Sequence, residues 1–95
     1  MTQRISPTHT VVTVGATSTA VLVASTTREH VLLINDSDEA IYVKLGAAAT
    51  MNAGIRLNAS GGSYEMTRSA GNLYSGAIYA ICSSGSKKLL VTEST

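Results

Sequence analysis

Thr27-Arg28-Glu29-His30-Val31-Leu32-Leu33-Ile34-Asn35-Asp36-Ser37-Asp38-Glu39-Ala40-Ile41-Tyr42-Val43-Lys44-Leu45-Gly46 is the stretch that decides the fold. Two short apolar runs flank a turn dense in Asn, Asp and Ser, residues that hydrogen-bond their own backbone or tolerate a left-handed conformation. The second run alternates, with Ile41, Val43 and Leu45 on one side and Tyr42 and Lys44 on the other, the period of a half-buried strand. The first run, Val31 to Ile34, is apolar on both sides. Together they read as a β-hairpin with a tight polar turn.

Similar runs fill the chain. Strands are expected near His9–Val14, Ala20–Ala24, His30–Asn35, Ala40–Leu45, Gly54–Asn58, Ser63–Met66, Gly76–Cys82 and Lys87–Thr92. Clusters of Gly, Ser, Asn, Asp or Thr bound each of them, the spacing of a sandwich or small barrel. Their β-branched and aliphatic content supports strands over helices. Gly46 to Met51 is the best helical stretch, but so short a segment between strands makes at most one turn and is read as a loop. The fold class is therefore all-β: a small antiparallel β-sandwich or barrel-like domain of about eight short strands, without significant helix. Residues 1–8, polar and holding the only proline, Pro7, read as an N-terminal arm, and 9–95 as one domain.

Ninety-five residues with four tyrosines, no Phe and no Trp must build their core from Val, Ile, Leu, Ala and Met. Thin cores of this kind commonly gain stability by oligomerisation or docking. Ser and Thr number twelve each, and the formal net charge is +1. A near-neutral surface lacks the clustered basic face that nucleic acid requires. Lys87-Lys88, the only basic pair, sits beside Gly85 in an expected hairpin turn. The single cysteine, Cys82, excludes an intrachain disulfide and falls in an apolar run, where a free thiol behaves as a small hydrophobe. The N-terminus lacks a signal-peptide core and no apolar run approaches the ~20 residues of a membrane span. A cytosol-like compartment and no membrane partner are expected.

Catalytic chemistry is not legible. Asp36, Asp38 and Glu39 lack the glycine and distal glutamate of a calcium loop, and His9 and His30 are isolated from metal-site spacings. There is no Gly-x-Ser-x-Gly elbow. Gly71 to Gly76 has P-loop glycine spacing without the following Lys-Ser/Thr. Catalytic, cofactor-binding and metal residues are all expected to be none, and the protein is read as a non-enzyme.

Alternation points Val12 and Val14, Leu22 and Ala24, Ile41, Val43 and Leu45, Ile55 and Leu57, and Leu89 and Val91 toward the core. Two runs, Val31 to Ile34 and Ala77 to Cys82, are apolar on both faces. Either a loop or arm covers their outer sides, or another subunit does. The candidate interface residues are Val31, Leu32, Leu33, Ile34, Ile78, Tyr79 and Ile81.

The order of several segments resembles a group of small virion proteins of tailed bacteriophages. These are Val21-Leu22-Val23-Ala24-Ser25-Thr26-Thr27-Arg28, then Val31 to Ser37, and Ile41 to Gly46. Gly61-Gly62-Ser63-Tyr64-Glu65 follows, then Asn72 to Ile81 and Leu90-Val91-Thr92-Glu93. The resemblance covers roughly residues 19–93. It implies a β-sandwich that decorates the outside of the head shell as a cement protein. Its partners would be the major capsid protein and itself, as a homo-oligomer, typically a trimer at threefold positions. Tail, neck and baseplate components look similar, so head and tail locations both stay open. A carbohydrate- or host-surface-binding module is a further reading, with only tyrosines to stack on a sugar.

Overall fold

The structure, a computed structural model, describes residues 6–95. It is all-β, with eight strands and no helix: β1 Pro7–Val14, β2 Thr19–Leu22, β3 His30–Asn35, β4 Ile41–Leu45, β5 Ile55–Leu57, β6 Ser63–Thr67, β7 Ile78–Cys82 and β8 Lys87–Ser94. Each coincides with an expected strand to within a few residues, and Gly46 to Met51 is a loop. Of the expected arm, residues 1–5 lie outside the described residues, and Pro7 and Thr8 open β1, opposite Ser94 and Glu93.

The strands form two antiparallel four-stranded sheets, ordered β1-β8-β3-β6 and β2-β7-β4-β5. First pairs with last, second with seventh, third with sixth and fourth with fifth. That is one long hairpin rolled up on itself. The pairs β3·β8 and β4·β7 hold the roll together in each sheet. The order is that of the eight-stranded jelly roll.

This topology corrects the reading of the Thr27–Gly46 stretch. β3 and β4 lie in different sheets, so their connection is an arch across the sandwich and not a hairpin. Both edges of β3 are occupied, by β8 and β6, leaving no side on which β4 could add. The turn before Lys87 is likewise an arch, because β2 and β4 flank β7.

The core lies between the sheets and is aliphatic as composition requires. Val14, Val31, Leu33, Ile41, Val43, Leu57, Met66, Ile78, Leu89 and Val91 are all buried in one cluster. Alternation placed most of them. It fails at β2, where the register slips between Ala20 and Leu22. This bulge buries Val21, leaves Leu22 half-buried against the core and ends the strand before Ala24, which is exposed. Cys82 is buried, with Sγ 3.3 Å from the carbonyl of Val14. Burial pushes its thiol pKa up.

Polar nodes close both ends of β3. At the first, the fully buried guanidinium of Arg28 donates from Nε to Glu93 Oε2 (2.8 Å) and from Nη1 to the carbonyls of Tyr74 (2.7 Å) and Gly76 (2.9 Å). Its Nη2 donates to the carbonyl of Val23 (2.7 Å). At the second, buried Asn35 donates from Nδ2 to the carbonyls of Glu39 (2.8 Å) and Leu57 (2.9 Å), and its Oδ1 accepts from Ser37 Oγ (2.6 Å). Reaching Leu57 on β5 carries the chain from one sheet to the other. Backbone bonds from Asn35 N to Gly62 O and from Gly61 N to Asn35 O complete this node. Every described buried side-chain nitrogen and oxygen has a partner.

Candidate interaction surfaces

The outer faces of the two sheets are where the doubly apolar runs place their second set of side chains. Val31, Leu33 and Ile78 point between the sheets and have no exposed surface. Leu32 and Ile34 stand on the outer face of the β1-β8-β3-β6 sheet, half-buried; Tyr79 and Ile81 stand on the outer face of the other, Tyr79 half-buried and Ile81 already buried within the chain. The seven candidate residues thus divide among the core and two opposite surfaces.

Register assembles the first surface. Val11 on β1 lies opposite Leu90 on β8, and Leu90 opposite Ile34 on β3. These three make an apolar row across three strands, ending at Val11, which is 59% exposed. Leu32 adjoins it one row on, between Thr92 and Glu65. The rim is polar: His9 Nδ1 lies 2.9 Å from Thr92 Oγ1, and His30 Nε2 lies 2.7 Å from Glu65 Oε2. Sequence reading found Leu32 and Ile34 and missed Val11 and Leu90. The signal was present in the doublets Val11-Val12 and Leu89-Leu90, whose members must face opposite sides of a strand.

The second surface is aromatic and cationic. Tyr42 lies between Ile81 and Arg56, and Lys44 opposite Tyr79. The Arg56 guanidinium sits 6.0 Å from the centre of the Tyr42 ring, at the outer limit for a cation–π contact. Tyr74 is not available as a platform, because its ring packs on the core and against Gly46 and Gly76.

Among the described residues, the hollows beside Arg28 and beside Asp36 are both open to solvent. A hollow of about 300 Å³ beside Arg28 is lined by Thr26, Arg68, Gly71, Leu73 and Ser75. Both guanidiniums there are already paired, Arg28 with Glu93 and Arg68 with Glu29. Among the described residues no three His, Cys, Asp or Glu side chains gather closely enough to hold a metal. The acidic turn is instead tied into the fold: Asp38 Oδ1 lies 2.7 Å from Lys87 Nζ, and Glu39 accepts from the N–H and hydroxyl of Ser84. Lys87 holds the Asp38 carboxyl below its ordinary pKa, and the Ser84 donors do the same for Glu39.

No protein-family model, curated protein or solved structure matches the chain.

Proposed function

We propose that this protein is a non-enzymatic structural component of a tailed-bacteriophage virion. In this reading it binds the outside of the head shell and reinforces it through contacts with the major capsid protein and with itself. The observation that carries the proposal is the apolar row Val11, Leu90 and Ile34, with Leu32 beside it, on the outer face of one sheet. A sheet face with apolar side chains at its centre and a polar rim has the composition of a protein interface. The jelly-roll order supports the reading at the level of architecture, since capsid domains use it, although lectins and cupins share it. The core of this chain is filled with aliphatic side chains, so its chemistry is displayed on surfaces. Many weak contacts on a repeated lattice add up to strong attachment.

Imaging and copy counting of particles that carry the chain test this. Hundreds of copies on the outer head surface support it, a single ring's worth at the tail moves the chain to a tail, neck or baseplate role, and absence from particles overturns both. Tyr42 and Tyr79 on the other sheet favour one second reading, a glycan-binding module. Glycan-array binding lost in Tyr42→Ala would support it, and no binding to any glycan would sink it.

A further inference from the structure

Four strands lie at sheet edges, and three of them carry a device that blocks pairing with another chain. β5 has three residues and presents Arg56. β2 has four and is bulged. Short strands, bulges and charges are the means by which edges are protected. β6 presents Glu65, and two of its outward backbone groups are capped by one side chain: Thr67 N donates to Asn72 Oδ1 and Asn72 Nδ2 donates to Glu65 O, both at 3.0 Å. β1 is different. It has eight residues and no Asp, Glu, Lys or Arg, and all of them but Val12 and Val14 are exposed.

The free backbone groups of β1 can be identified from its ladder. Ser6 and Thr95 exchange N–H···O bonds in both directions, at 2.9 and 3.3 Å. Such pairs recur at every second residue of an antiparallel ladder. Thr8, Thr10, Val12 and Val14 therefore bond to β8, while His9, Val11 and Thr13 turn their N–H and C=O outward. Pro7 falls in the outward set, where its missing N–H interrupts nothing. Among the described residues no group bonds to the backbone of His9, Val11 or Thr13 on that edge.

We infer that β1 pairs antiparallel with β1 of a second copy, on a two-fold axis at Val11. This register is self-complementary. Val11 meets its own copy and His9 meets Thr13, so each of the three outward residues donates and accepts one backbone bond. The ladder ends by itself, at Pro7 on one side and on the other at Gly15, whose N–H and C=O are taken by Thr19 Oγ1 and Cys82 N. Side chains agree with the backbone. The row Ile34, Leu90, Val11 runs up to this edge, and the two-fold continues it into the same row of the partner, covering the exposed Val11. The occupant is a second copy because the strand is its own match in register and brings no like charges together. The inference concerns the chain by itself and does not rest on the virion reading. It makes a two-fold dimer the unit of self-association in place of the trimer that the resemblance implies.

Sedimentation equilibrium of the full chain, with amide hydrogen exchange at high and low protein concentration, tests it. A monomer–dimer equilibrium is expected, with the amides of His9, Val11 and Thr13 protected in the dimer and open on dilution. Val11→Lys should weaken the dimer at least about tenfold, and Val11→Pro, which removes only an outward N–H, should do the same in a folded chain. A monomer at every concentration, a trimer, a dimer that survives both substitutions, or fast exchange of the three amides in the dimer overturns the inference. Because exchange is read on the unaltered chain, a variant that fails to fold leaves the test intact.

Discussion

Arg28 Nε and Glu93 Oε2 lie 2.8 Å apart, although sixty-five positions separate them in the chain. Around that bond gather Val23, Tyr74 and Gly76, each giving a carbonyl to the same guanidinium. Three distant segments are pinned by one buried cation. A planar fork of donors suits this task and a lysine ammonium does not. Arg28→Lys and Arg28→Met should therefore each destabilise the domain by about 3–5 kcal/mol, the range for breaking a buried ion pair. Urea denaturation measures this, and an unchanged midpoint in either variant would remove the node from the account of the fold.

Asn35 should matter less, and for a different reason. Asn35→Ala leaves the carbonyls of Glu39 and Leu57 without their side-chain donor in a buried site. The expected loss is about 1–3 kcal/mol, read by the same denaturation. If the variant keeps full stability, the arch between β3 and β4 is held by its backbone bonds alone.

Two glycines should behave differently on replacement by alanine. A Cβ at Gly62 would run into the backbone N and O of Asn58, which cannot move aside as a side chain could. Gly71, at φ +78°, meets nothing within 4 Å. Gly62→Ala should fall at or above the upper end of the ~1–3 kcal/mol for overpacking, and Gly71→Ala near the ~1 kcal/mol of a left-handed residue. Thermal melts of the two variants that come out in the reverse order would contradict the close approach at Asn58.

Acidification should weaken the turn that follows β3. The Asp38 carboxyl is held below its ordinary value of 3.8 by hydrogen bonding and attraction from Lys87, and Glu39 below 4.5 by the two Ser84 donors. A carboxyl whose pKa is lower folded than unfolded adds stability that is complete above its ordinary value and is lost as pH falls through the folded value. Stability contributed by this turn is thus intact at neutral pH and declines below about pH 4. In Lys87→Met, NMR titration should show the Asp38 midpoint moving up toward 3.8; an unmoved midpoint would disprove the pairing.

Neighbours on β3 should separate core from surface. Leu33, fully buried, should cost about 2–5 kcal/mol on change to alanine. Half-buried Leu32, on the outer face, should cost under about 1 kcal/mol in the isolated chain, while Leu32→Glu weakens attachment to any partner on that face. Comparable losses of folding stability for Leu33→Ala and Leu32→Ala would mean that the outer face is already covered within one chain.

The sequence by itself determined where the strands lie, which turns join them and which side of most strands is buried. These are local properties: alternation has a period of two, and Asn, Asp, Ser and Gly act on their own backbone. Only the tertiary structure decided which strands pair. An apolar run, a polar turn and a second apolar run describe a hairpin and an arch equally well, and Thr27–Gly46 is the arch because β3 has both edges filled by strands from far along the chain. The same long-range pairing turned Arg28 from one member of a short motif into a buried tie among three segments. It also set Val11, Leu90 and Ile34 side by side, since neighbours across a sheet are fixed by register, which no local pattern contains.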